Sequence, residues 1–225
     1  MQAAWLFFDM GSTIMNETPA MEKRIRDSIA GTGVAYEEFS AKMAEFRAMG
    51  LREDIAAFAH FGLPKAPWPR DAEMPYPNAD RVIHTLRERG YRLGIIANQS
   101  PGSADRLARF GLRDYFEVIC ASAEEGVAKP DPELFRRALA RAGCAPADAV
   151  MIGDRTDNDI APAKALGMRT VLIRQGYGGH DIIHHEGRSP MRRWTVCLNC
   201  WIFLSRYIAV CRTVWHVGSV ANDPL

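Results

Sequence analysis

At 225 residues, 48% hydrophobic and 24% charged, the chain can bury one generous core or a core with a small insertion, and its composition is that of an ordinary globular protein. A formal net charge of +1 gives no reason to expect nucleic acid or an anionic membrane as a partner. The five cysteines lack a framework spacing and read as mostly reduced thiols; the N-terminus lacks a basic stretch and Asp9 interrupts its apolar run, so no secretory signal is expected and the cytoplasm is the default location.

The first predicted element is a strand over Trp5, Leu6, Phe7 and Phe8, a continuous apolar run of the kind buried on both faces of a parallel sheet. Asp9 ends it, and Gly11, Ser12 and Thr13 break the pattern. That places a carboxylate at the carboxyl end of a central strand, facing the crevice where open α/β sheets bind ligands. There it can act as a nucleophile or hold a metal; a turn or cap role is the plainer alternative. The periodicity then becomes helical. Met21, Ile25 and Ile29 form one stripe, Phe39, Met43 and Phe46 a second over residues 37–49, and Ile55 and Phe58 a third over 53–60, stopped by Gly62. Pro64, Pro67, Pro69, Pro75 and Pro77 mark the returning segment as a hinge or linker. Residues 16–78 are therefore expected to form a small helical insertion, either a lid over the site or a packing subdomain that never moves.

Strands and helices alternate beyond it. Asn78 is the expected N-cap of a helix with Val82, Ile83 and Leu86 inward, ended by Gly90. Strands follow over 91–97, 116–121, 149–152 and 169–173, with helices over 104–110, 133–142 and 159–166. The pattern implies an α/β fold with a doubly wound parallel sheet, its core formed by residues 1–15 and 79–179. All candidate polar groups then lie on the same rim as Asp9.

The segment Asp154-Arg155-Thr156-Asp157-Asn158-Asp159 offers acidic oxygens at both ends of one short loop, which Asp9 can approach from the neighbouring strand. Mg²⁺ favours octahedral oxygen coordination by one or two carboxylates, waters and a substrate phosphate. Lys129, just before Pro130, suits both Asp9 and an anionic substrate. Taken in order, Phe8-Asp9-Met10-Gly11-Ser12-Thr13, the strand ending at Asn98, Lys129-Pro130, and Gly153-Asp154 through Asn158-Asp159 resemble the four motifs of the haloacid dehalogenase-like (HAD) hydrolase superfamily. The resemblance covers roughly residues 4–175, with the insertion where that family carries its helical C1 cap.

What the resemblance implies is a Rossmann-like core and Mg²⁺-dependent hydrolysis of a small phosphorylated metabolite through an aspartyl-phosphate on Asp9. Asp9, Asp154, Asp159 and the Gly11 carbonyl would hold the Mg²⁺. Lys129 would orient Asp9 and neutralise the phosphoryl group, with Asn98 and Ser100 beside it as substrate-binding positions. Two positions depart from the phosphatase pattern. Gly11 stands where a second Asp normally protonates the leaving alcohol, and Ala97 stands where a Ser or Thr normally donates to the phosphate; Asn98 or Ser100 are the candidates to compensate. These departures keep open a catalytically degenerate binding protein. A phosphonatase-like C–P hydrolase would need a cap lysine, for which Lys23, Lys42 and Lys65 are available. A homodimer is also left open.

Composition shifts again over residues 180–225, where His180, His184 and His185 cluster before Cys197-Leu198-Asn199-Cys200. A single Cys-x-x-Cys with no second pair is a weak zinc signal, and Asn199, Ser205 and Arg206 make the apolar run a poor membrane span. The segment reads as a divergent tail packed on the domain.

Overall fold

In a computed structural model of the protein, described over residues 5–174, 176 and 195–196, strand β1 (Trp5–Phe8) lies in the middle of a parallel sheet. The other strands of the sheet are β4 (Arg92–Ala97), β5 (Val118–Ala121), β6 (Ala149–Gly153), β7 (Arg169–Ile173) and β8 (Thr195–Val196), in the spatial order β5-β4-β1-β6-β7-β8. After β1 the chain builds outward through β4 and β5, then returns to β6 on the opposite flank of β1. A crevice opens outside the strand ends at such a reversal.

Both faces of β1 are covered, which is why its sequence does not alternate. Leu6 and Phe8 pack with Val82, Ile83 and Leu86 of α4 (Ala79–Glu88) and Leu107 of α5 (Ser103–Ala108). Trp5 and Phe7 pack on the other face with Leu134, Phe135 and Ala138 of α7 (Pro132–Ala142) and Ala163 of α8 (Ala161–Ala165). Fully burying one such side chain is worth about 1.5–3 kcal/mol, so this run fixes the strand at the centre. Gly94 is the register partner of Phe7, and a Cβ there would stand 2.6 Å from the Phe7 ring. Glycine is what lets the aromatic lie flat across β4.

Between β1 and α4 come α1 (Thr18–Ile29), α2 (Tyr36–Ala48) and α3 (Glu53–His60). They share their own apolar cluster of Ile25, Ile29, Phe39, Met43, Ala57 and Phe58, with the Phe39 and Phe58 rings edge to face at 4.8 Å. The helices fall where the sequence periodicity puts them, but Ile55 is exposed because Ala57 and Phe58 occupy the inward face of the short α3.

The proline-rich return is more than a linker. Its strand β3 (Met74–Pro75) pairs antiparallel with β2 (Met15–Asn16), so the two connections between sheet and helices form one ribbon. Buried Glu73 accepts from Trp68 Nε1 at 2.5 Å and from Arg106 Nε at 2.9 Å, tying that return to α5. Asn78 precedes α4 but adopts φ 66° and makes no side-chain capping bond; Asn tolerates the left-handed region, and here it turns the chain instead. The expected helix over 159–166 opens as a wider π-turn over Thr156–Ile160, and a short α6 (Ser122–Glu125) was not legible in the pattern. Apart from Thr195–Val196, the divergent tail lies outside the described residues, as do Cys197, Cys200 and Cys211. Cys120 and Cys144 are free thiols. No helix among the described residues is long and apolar enough to cross a membrane.

Candidate active site

The rim at the carboxyl ends of β1, β4 and β6 brings four distant residues to one point. Lys129 Nζ donates to Asp9 Oδ1 at 2.6 Å, to Asp159 Oδ1 at 2.5 Å and to the Ile96 carbonyl at 2.9 Å, which uses all three ammonium protons. Asp154 completes the group, and one oxygen of each of Asp9, Asp154 and Asp159 lies within 4.8 Å of the others. All four side chains are buried. Three carboxylates and one ammonium leave a formal surplus of negative charge in a desolvated place. Burial pushes the Asp9 pKa up to about 6 against the lowering effect of Lys129, and burial with the charges of Asp9 and Asp159 pushes Asp154 up as well. Burial alone would lower Lys129, but the two aspartates outweigh it and raise its pKa. An all-oxygen, acid-rich cluster of this kind is what a hard divalent cation needs, so the residues fit Mg²⁺.

Local backbone geometry sets each side chain. The Asp9 N–H continues the ladder to the Ile152 carbonyl at 2.8 Å, so the carboxylate leaves the sheet just where β1 stops. Immediately afterwards Met15 N–H reaches back to the Met10 carbonyl at 2.8 Å, closing a wide turn in which Ser12 takes φ 53°. Inside that turn Thr13 Oγ1 donates to Asp154 Oδ1 at 3.2 Å. On the β6 side, the π-turn carries Ile160 N–H to the Arg155 carbonyl and brings Asp159 back over Gly153, where any Cβ would collide with the carboxylate. Asp159 Oδ2 also accepts from the Arg155 N–H at 3.0 Å.

A family model for haloacid dehalogenase-like hydrolases matches residues 4–167. The chain belongs to that family. It is 32% identical over 197 residues to the glyceraldehyde 3-phosphate phosphatase of Pyrococcus abyssi, covering 76% of this chain and 81% of that protein. Further curated phosphatases match over less than half of their own lengths. A HAD phosphatase structure from Thermococcus onnurineus has the same fold, with a TM-score of 0.58, 22% identity, and coverage of 91% of this chain and 97% of that one. So has a magnesium-bound structure from Bacillus subtilis that reveals interdomain movement, with a TM-score of 0.62, 19% identity, and coverage of 77% and 90%.

Within this HAD-like hydrolase, the structure separates the expected substrate-binding positions. Asn98 lines the cleft, but both ends of its amide are committed to Lys129: Nδ2 donates to the Lys129 carbonyl at 2.8 Å and Oδ1 accepts from the Lys129 N–H at 2.7 Å. It positions the lysine loop. Ser100 is exposed, accepts from Arg70 Nη2 at 3.2 Å and lies outside the cleft lining, because the chain turns away from the rim after Gln99. Ala97 is fully buried in β4, and of the two expected substitutes only Asn98 lines the cleft.

The cleft has a volume of about 480 Å³. One wall is the rim of the sheet. The facing wall includes Met21, Arg47, Leu51 and Arg52 of the helical insertion. Arg47 forms a forked pair with Glu53, whose Oε1 accepts from Nη2 at 2.6 Å. Glu17 and Gln99 are among the lining residues that escaped the sequence reading. Glu17 is raised to about 7 by burial first and the Asp9 charge second, and Gln99 Nε2 donates to it at 3.5 Å. No motif marks either position. Only the fold, by bending residues 10–16 back over Asp9, brings Glu17 to the site.

Proposed function

We propose that this chain is a Mg²⁺-dependent phosphatase that opens phosphate monoesters through an aspartyl-phosphate on Asp9. It is a phosphatase-type hydrolase of small phosphorylated metabolites, as its relatives are; the nucleophile, the ion and the setting are our reading. The observation that carries it is the buried cluster at the rim, with Lys129 bridging Asp9 and Asp159 beside Asp154. A purely structural role gives no reason to concentrate so much like charge in a cleft.

In this reading an Asp9 oxygen attacks the phosphorus of a bound ester, and the P–O bond to the leaving group breaks. Lys129, held by three hydrogen bonds, keeps Asp9 aimed and opposes the charge of the incoming phosphoryl group. Asp9, Asp154 and the Gly11 carbonyl would hold Mg²⁺ together with Asp159, whose oxygens are shared with Lys129 and the Arg155 N–H. The ion would supply charge neutralisation for the phosphoryl oxygens. Residues 16–78 would serve as the cap, residues 1–15 and 79–179 as the catalytic core. The setting would be cytoplasmic, with a small phosphorylated metabolite as the partner and a homodimer left open. A phosphonatase reaction has less support: Lys23 pairs with Asp27, Lys42 with Glu45 and Lys65 with Asp54, and none of the three lines the cleft.

The test is a screen of phosphate monoesters, acyl phosphates and phosphonates with and without Mg²⁺, run beside Asp9→Asn, with acid-quench mass spectrometry for a phosphoryl adduct on Asp9. Mg²⁺-dependent turnover with a trapped adduct is expected. Turnover that survives Asp9→Asn would sink the covalent route.

A further inference from the structure

An ester whose leaving group is a poor one needs a proton as the P–O bond breaks, so the cleft has to contain a donor. Most of its titratable residues are already committed. Lys129 spends all three protons on Asp9, Asp159 and Ile96. Asp9, Asp154 and Asp159 form the acidic cluster. Arg47 is paired with Glu53, Asp54 with Lys65, and Asp157 with Arg155. Glu17 has no ion pair among the described residues, and its side chain accepts a long hydrogen bond from Gln99.

The position of Glu17 is more specific than its availability. An ideal Cβ on Gly11 would lie 2.6 Å from both carboxylate oxygens of Glu17 and 2.7 Å from Cδ. The Glu17 carboxyl therefore fills the space that a side chain two residues after Asp9 would enter, and it lines the same cleft as Asp9. Glycine is not there for its conformational range: Gly11 is absent from the positive-φ positions, so its backbone suits any residue. The space beside Gly11 is occupied by a carboxyl at the end of a flexible side chain, which a larger residue at 11 would have to displace.

The carboxyl is also held. Gln99 faces Glu17 through Nε2 at 3.5 Å, while its Oε1 accepts from Arg106 Nη1 at 2.6 Å. Arg106 is fixed by its fork on Glu73, and Glu73 accepts from Trp68. The chain of contacts runs from the proline-rich return into the cleft and ends at Glu17, making Gln99 a positioning residue.

The geometry points to Glu17 as the general acid and base of this hydrolase, replacing in space the side chain that Gly11 lacks. The inference rests on the aspartyl-phosphate reading. In the first step the Asp9 oxygen forms its bond to phosphorus, the ester P–O bond breaks, and the Glu17 carboxyl passes its proton to the departing oxygen. In the second, the Glu17 carboxylate takes a proton from the water that attacks the aspartyl-phosphate. The Asp9 carboxylate and inorganic phosphate are released, and Glu17 is again an acid.

The test compares an alkyl phosphate with 4-nitrophenyl phosphate, whose leaving group needs no proton. Glu17→Gln preserves shape and removes the transferable proton. We expect an alkyl-ester loss of about 10²–10⁴-fold and an aryl-ester loss of less than about tenfold in the first step, read by single-turnover kinetics. The space argument supplies an independent variant pair. Gly11→Asp alone puts two carboxyl groups in one place and is expected to gain nothing, whereas Glu17→Ala with Gly11→Asp recovers alkyl-ester turnover lost in Glu17→Ala. Equal losses on both esters, no loss on either, or failure of the double variant to recover would overturn the assignment while leaving Asp9 as nucleophile. Asp9→Asn retaining activity, or no Mg²⁺-dependent phosphatase activity in the parent chain, would instead overturn the underlying mechanism and this inference with it.

Discussion

The two walls of the cleft are built on opposite physical terms. On the sheet side, Lys129, Asp154 and Asp159 are 5% exposed or less, and each is fixed by hydrogen bonds to backbone or to a neighbouring side chain. On the helical side, the turn joining α2 to α3 presents Leu51 at 52% exposure, and the Arg52 guanidinium stands 4.0 Å from its carboxylate partner at the surface. The sheet wall excludes water from charges that must not move; its cost in desolvation is borne by a large two-faced core. The helical wall has a small core of its own and presents Leu51 and Arg52 of that turn to the cleft beside Met21 of α1 and Arg47 of α2. In the proposed mechanism, chemistry common to many esters would belong on the first wall and discrimination among leaving groups on the second.

The sharpest way to break this contrast is to remove the cation on which the rigid wall depends. Lys129→Met leaves Asp9, Asp154 and Asp159 buried together with no ammonium. We expect loss of turnover and destabilisation of the metal-free protein by about 3–5 kcal/mol near neutral pH, measured by urea denaturation in chelator. Added Mg²⁺ should return part of the stability but not the turnover. A variant as stable as the parent in chelator would show that the wall does not rely on Lys129.

A smaller effect follows from the same surplus of negative charge. Burial raises Asp9 to about 6 and Asp154 upward, so between about pH 4 and pH 6 the folded metal-free protein holds more protons than the unfolded chain. The contribution of this pair to stability should therefore fall as pH rises through that window, the opposite of a carboxylate stabilised by an ion pair. Mg²⁺ binds the ionised forms, so the rise in melting temperature caused by a fixed Mg²⁺ concentration should be larger at pH 7.5 than at pH 5. Asp154→Asn should remove most of that Mg²⁺-dependent difference without unfolding the domain. An equal Mg²⁺ effect at both pH values would separate the cluster from metal binding.

Much of the rigid wall was legible in the sequence because its residues sit at strand ends, where a local pattern and a spacing survive translation into space. The Trp5–Phe8 run announced a strand covered on both faces, and the Asp154–Asp159 spacing announced an acidic loop. The rest depends on contacts between segments far apart in the chain. Asn98 reads as a substrate ligand, and in the fold its amide also bonds the Lys129 backbone at both ends; Ser100 lies one residue past Gln99 yet accepts from Arg70. Gly11 read as a missing side chain, whereas the space beside it is filled by Glu17, a relation that only the wide turn over Met10–Met15 creates. The proline-rich return hid a β-ribbon because strands of two residues have no periodicity to detect.

The smallest expected effect probes the adjustable wall. Arg52 lines the cleft with a side chain that is 55% exposed and loosely paired with Asp54. An arginine so placed can meet a second anionic group on the substrate, such as a carboxylate or another phosphate, but only through a solvated contact. Exposed pairs are worth about 0.2–1 kcal/mol, so Arg52→Ala should raise KM for a doubly anionic ester by no more than about fivefold. kcat should hardly change, because the chemistry lies on the other wall. For an ester with a neutral leaving group KM should stay the same, and raising salt should shrink the difference between parent and variant, since screening acts most strongly on exposed charges. A large fall in kcat for both esters would mean that the turn joining α2 and α3 is part of the rigid machinery, and the division between the two walls would then be wrong.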